Sequence, residues 1–98
     1  MTKQKAKDLT IEVWQYLADH PEIACKRDLP WEILEAVIRC VSQCPLCEMF
    51  RDEDCVGCPL GNCEDAGSNY WNWYNAETDE DRKKYAQAIL CVVKAWKI

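Results

Sequence analysis

The chain has 98 residues and a net charge of −5, with eight cysteines and five tryptophans, and a length like this makes one domain, residues 1–98, around a modest apolar core. No stretch approaches the roughly 18 apolar residues a membrane span requires, and no apolar run follows Met1-Thr2-Lys3-Gln4-Lys5 to make a signal peptide. The expected setting is the cytoplasm, a reducing compartment in which clustered cysteines hold metal more often than disulfides.

In chain order, the first predicted helix runs from about Leu9 to Asp19, with Leu9, Val13, Tyr16 and Leu17 at helical spacing. His20-Pro21 ends it, because the residue before proline is pushed out of the α region. The lone histidine reads as a helix-end residue and not as a metal ligand. A second helix is expected from about Pro30 to Ser42, with Asp28 as its cap and Ile33, Leu34, Val37, Ile38 and Val41 as its apolar stripe. It leads into Cys44. From Cys44 to Gly67 no helical or alternating pattern survives, and Pro45, Gly57, Pro59, Gly61 and Gly67 divide the stretch into turns. Such a long irregular segment needs something to hold it. The third helix, about 79–97, opens on Thr78-Asp79-Glu80-Asp81, close to a capping box, and buries Tyr85, Ile89, Val92, Val93 and Trp96. Ala88, Cys91 and Ala95 form a small-residue face beside that stripe. Cys25, Cys40 and Cys91, outside the cluster, read as small hydrophobic residues.

The irregular stretch holds two Cys-x-x-Cys pairs, Cys44/Cys47 and Cys55/Cys58, and a fifth cysteine, Cys63. A tight turn between paired cysteines aims both sulfurs at one ion, and Gly57 lets backbone amides approach the thiolates. Two such turns complete a tetrahedral shell at about 2.3 Å per zinc–sulfur bond. Cys44, Cys47, Cys55 and Cys58 are the expected ligands, with Cys63 the contender for one place. Zinc is the expected ion, with rubredoxin-like iron the rival, since both accept tetrahedral sulfur. Cys40-x-x-x-Cys44-x-x-Cys47 has radical-SAM spacing, but that chemistry needs a far longer barrel, and Cys40 is expected inside the second helix. Cys44-Pro-Leu-Cys47 has the form of a glutaredoxin pair without the neighbouring βαβ pattern such a site needs.

Charge is uneven along the chain. Residues 31–67 carry two basic and eight acidic side chains, a net of −6. Thiolates around a divalent ion would make this region more negative still, so direct nucleic-acid binding through it is disfavoured. Asp52, Glu53 and Asp54 form an acidic loop tip. The run Tyr70-Trp71-Asn72-Trp73-Tyr74 reads as aromatic cover over the metal loop and third helix, with a recognition patch using Trp71 and Trp73 as the alternative.

Trp14-Gln-Tyr-Leu-Ala-Asp-His-Pro21, Lys26-Arg-Asp-Leu-Pro30, Cys44-x-x-Cys47-Glu, Cys55-x-x-Cys58-Pro-Leu-x-x-Cys63 and Tyr70-Trp71-x-Trp73 follow one another in this order. Together they resemble small cysteine-rich proteins encoded by bacteriophages and prophages. The resemblance covers most of the chain and implies an early host-directed product or accessory protein, without a catalytic mechanism.

The expectation is a mainly α domain, with three helices packed around an irregular, zinc-knuckle-like, Cys-rich metal-binding loop spanning 44–67. Its expected role is a non-enzymatic interaction module whose acidic surface docks on a host or phage protein, a basic nucleic-acid-binding one among the candidates. Inhibition of a bacterial defence complex is one form this would take. The alternatives are a thiol- or metal-based redox-responsive protein, kept open by the fifth cysteine, and a nucleic-acid-binding zinc module using Lys3, Lys5, Lys7 and the aromatic run.

Overall fold

A computed structural model describes residues 2–40, 44–50, 58–61 and 66–98, with the side chains of Cys47 and Glu48 outside that description. The first helix, α1, spans Lys3–Asp19 and begins six residues ahead of the Leu9 start expected from apolar spacing. Two local causes account for the extra turns. Thr2 caps the helix, its hydroxyl accepting from the Lys5 amide at 3.1 Å, and Lys, Gln and Ala are strong helix formers even without an apolar stripe. Ala6, Thr10, Val13, Trp14, Leu17 and Ala18 form its buried face. The buried Thr10 hydroxyl donates back to the Ala6 carbonyl at 2.7 Å, so no polar atom of that side chain is stranded. His20 closes α1 as expected, its amide donating to the Tyr16 carbonyl and its ring stacked on Tyr16 at 3.9 Å.

A 3₁₀ turn, Lys26–Asp28, precedes α2, which spans Trp31–Val37. Asp28 therefore does not cap α2. That position falls to Pro30, whose carbonyl accepts from the amides of Ile33 and Leu34 at 3.0 and 2.9 Å. The helix is also shorter than the 30–42 expected. Ile38 is exposed, and Cys40 lies in a turn, its amide bonded to the Val37 carbonyl at 2.9 Å, rather than inside a helix. Ile33, Val37 and Ile38 are β-branched, a density that weakens helical continuation. Leu34 and Val37 carry the buried part of the expected stripe.

The 44–67 segment is not irregular throughout. Residues Pro45–Phe50 form α3. Pro45 fits a first helical turn, and Leu46 and Phe50, four residues apart, are buried on one side with Met49 half-buried beside them. A helix of under two turns holds too few apolar positions to show a repeat. Helix α4, Asn69–Tyr74, starts where Ser68 accepts from the Trp71 amide at 3.1 Å.

Helix α5 spans Asp79–Ala95, two residues short of the expected 97, with Thr78 accepting from the Asp81 amide at 3.1 Å as the capping pattern implies. Its buried line is Ala86, Ile89, Leu90 and Val93, flanked by half-buried Tyr85 and Trp96. Val92, expected in the core, is exposed. Cys91 and Ala95 are also exposed, while Ala88 is half-buried, so Cys91 is not a core residue.

Helices α1 and α5 make the main packing pair, with α2 and α3 resting on α1 and α4 on α5. Lys7 Nζ reaches the Trp96 carbonyl at 2.7 Å, and Arg82 Nε reaches the Pro21 carbonyl at 2.6 Å, so the two long helices run antiparallel. Trp14 and Trp73 meet edge to face at 5.1 Å between α1 and α4, and Tyr70 meets Trp14 edge-on at 6.1 Å. Such aromatic pairs add about 0.5–1.5 kcal/mol beyond the area they bury. The architecture is mainly helical, and no described helix is long and apolar enough to cross a membrane.

Candidate metal centre

Cys44 and Cys58 are the two cluster cysteines whose side chains the structure describes, and both border the hydrophobic core. Cys44 is buried directly ahead of α3, and Cys58 is half-buried against the same core residues. Pro45 and Leu46 hold the first segment in place, since both are fully buried. Cys58 opens a turn in which the Gly61 amide donates to the Cys58 carbonyl at 3.1 Å. Gly61 sits at φ +66°, where a side chain would add strain. Cys44 and Cys58, on two separate described stretches, thus each place a thiol on one core.

Cys47 lies within α3, its side chain outside the described set. Cys55, Cys63, Gly57 and the acidic tip Asp52-Glu53-Asp54 fall outside the described residues altogether. Among the described residues no three of His, Cys, Asp and Glu come together as a metal-binding group.

The two aromatic candidates separate cleanly. Trp73 is 1% exposed, enclosed by Trp14 and Tyr70, so it belongs to the core and offers no surface to a partner. Trp71 is 41% exposed and Tyr74 63%, which leaves these two as the outward aromatics of α4. The aromatic run is therefore half core and half surface, as one helical turn of consecutive rings must be.

Cys25, expected to be a small hydrophobe, instead belongs to a polar constellation. Cys25 is half-buried at the start of the 3₁₀ turn, and Arg27 Nε donates to its sulfur at 3.4 Å. The Arg27 side-chain hydrogen bond, and after it the Arg27 backbone, hold this thiol below its ordinary range, against opposing desolvation and the Asp28 charge. Next to it Lys26 is 4% exposed, its ammonium 4.8 Å from the Tyr70 ring centre and 5.3 Å from that of Trp14. Cation–π attraction offsets part of the cost of enclosing that charge. The signal was available: Cys25-Lys26-Arg27 puts two cations directly after a thiol.

No protein-family model matches the chain, and neither the curated proteins nor the solved structures contain a match to it.

Proposed function

We propose that residues 44–67 bind one metal ion through thiolates drawn from Cys44, Cys47, Cys55, Cys58 and Cys63, and that the bound loop is a non-enzymatic docking surface. Zinc is the ion of choice, with iron second. The observation that carries this reading is five cysteines within 20 residues. The core-anchored positions of Cys44 and Cys58 support it, because anchoring both segments lowers the entropy lost when the shell closes. A full thiolate shell leaves no open coordination position for a substrate or water, so the ion's role is structural.

The partner is a protein with a basic face. Residues 31–67 carry a net −6, and an acidic field steers cationic partners while repelling a phosphate backbone. The resemblance to phage-encoded cysteine-rich proteins makes a host or phage protein the natural candidate, with inhibition of a defence complex one outcome of such docking.

Native mass spectrometry with elemental analysis, on protein purified under reducing conditions, tests the metal. One zinc per chain is expected, and a metal-free, fully folded chain would refute it. Pull-down from bacterial lysate at low and moderate salt tests the docking, with capture that weakens as salt rises the expected result and no capture at either salt the contrary one.

A further inference from the structure

Helix α2 buries Leu34 and Val37 on α1's side of the molecule and leaves a second apolar surface open to solvent. Trp31, its first residue, is 59% exposed, and Ile38 at its C-terminal end is exposed as well. Ile38 keeps helical angles, φ −60° and ψ −30°, which puts it on the same side of the helix as Trp31. Single exposed apolar side chains are ordinary on a protein surface, whereas two that share one groove form a patch. That groove, of about 610 Å³, is lined by Trp31, Glu35, Ile38 and Arg39. It has room for an aliphatic or aromatic side chain together with the backbone that bears it. The charges around it are uncommitted. Glu35 stands one turn ahead of Arg39, the order that favours an ion pair along a helix. Among the described residues the two nevertheless do not pair, and neither does Glu32, which is exposed beside them. Two carboxylates thus flank the groove, and one guanidinium stands at its far end.

We propose that this face of α2 docks a cationic amphipathic helix of a partner protein. An apolar side chain of that helix enters the groove between Trp31 and Ile38, and lysines or arginines beside it meet Glu32 and Glu35. Charge decides the occupant. A second copy of the chain would bring the same carboxylates against one another, along with the net −6 of residues 31–67. A nucleic acid would present phosphates to those carboxylates. A cationic helix meets them with opposite sign, and Arg39 orients it by attracting the negative, C-terminal end of its dipole. The proposal rests on the docking reading above, since α2 opens the same acidic stretch, and it adds a defined contact ahead of the metal loop in sequence.

The test follows fluorescence anisotropy of labelled peptides titrated with the full chain, purified under reducing conditions. One peptide places Lys and Leu at helical spacing, a second replaces its Lys by Glu, and a third replaces its Leu by Ser. The Lys–Leu peptide is expected to bind best, and less well as salt rises. Trp31 and Ile38 are exposed, so Trp31→Ser and Ile38→Ser should keep the helical circular dichroism. Trp31→Ser should weaken binding at least about tenfold, as loss of an aromatic anchor does. Glu32→Lys combined with Glu35→Lys should turn the preference toward the Glu–Leu peptide. Trp71→Ser, which removes an exposed ring from α4, should leave binding unchanged. Equal binding of the Leu and Ser peptides, or no effect of Trp31→Ser and Ile38→Ser, would overturn the proposal. So would a dimer in sedimentation that Trp31→Ser dissolves, because the face would then serve a second copy. Binding lost in a chain carrying Asp52→Asn, Glu53→Gln and Asp54→Asn but kept in Trp31→Ser would place the docking on the loop, removing the α2 site and leaving the docking reading intact. No peptide binding together with no capture in the pull-down would remove both.

Discussion

Arg82 concentrates three contacts in one guanidinium: Nε to the Pro21 carbonyl at 2.6 Å, Nη1 to the Ala76 carbonyl at 3.3 Å, and Nη2 to the Asp79 carboxylate. The first fastens the start of α5 to the loop after α1, and the second ties it to the link between α4 and α5. The third joins an exposed carboxylate, where solvent screening leaves little energy. Arg82→Ala is therefore expected to lower unfolding free energy by about 1.5–3 kcal/mol, as losing charged hydrogen bonds to carbonyls does. Asp79→Asn is expected to cost at most about 1 kcal/mol. Urea denaturation of the two variants checks the order, and equal losses would contradict the assignment of the carbonyl contacts. Cys25 gives a prediction in pH. Its thiol is held low in the folded chain by Arg27, so the folded state releases that proton before the unfolded state does. The stabilising contribution is complete above the unfolded thiol range and is lost as pH falls through the folded midpoint. Iodoacetamide labelling of Cys25 should accordingly inflect at lower pH in the native protein than in urea. At this scale the sequence was legible where a residue's role is local, as with His20 and Thr78. It was not legible where the role depends on contacts across the chain, as with Trp73, which shares its core site with Trp14 from a helix more than fifty positions away.

Helix ends followed their caps more faithfully than their apolar stripes. Thr78 and the acids behind it marked the start of α5, whereas α1 began well before its first large apolar side chain because Thr2 caps it. Thr78→Ala removes the oxygen that accepts from the Asp81 amide and should cost about 1 kcal/mol, read from thermal or urea unfolding. Ser68→Ala removes the matching bond to the Trp71 amide. Its cost should be of similar size, about 0.5–2 kcal/mol, because so short a helix depends on packing and on its caps. The elements without a sequence signature are the short ones. Helix α3 is six residues long and α4 is six, so neither spans enough turns for a 3.6-residue period to repeat. The opposite error befell α2, where an apolar stripe continued past the last helical residue because turn and helix can both use closely spaced apolar side chains.

For the whole molecule, α1 and α5 are the main packing pair, with α2 and α3 resting on α1 and α4 on α5. If an ion holds the 44–67 segment, chelation in the presence of reductant should lower the melting temperature sharply. The free energy of structural zinc, about 10–16 kcal/mol in small peptides, rivals the whole stability of a domain. Much of the α1–α5 helicity should survive at low temperature, because Trp14, Leu17, Ile89 and Val93 lie on the buried faces of these two helices, the main packing pair. Circular dichroism with and without chelator distinguishes this from complete collapse. The antiparallel pairing also has a kinetic meaning. Arg82 and Pro21 are 61 positions apart, and Lys7 and Trp96 are 89. The helical partners that meet most extensively thus lie far apart in the sequence, and α1 cannot dock on α5 until residues 79–95 have been synthesised. A nascent chain truncated before Arg82 would hold α1 with its apolar side uncovered, a natural client for a chaperone at the exit tunnel.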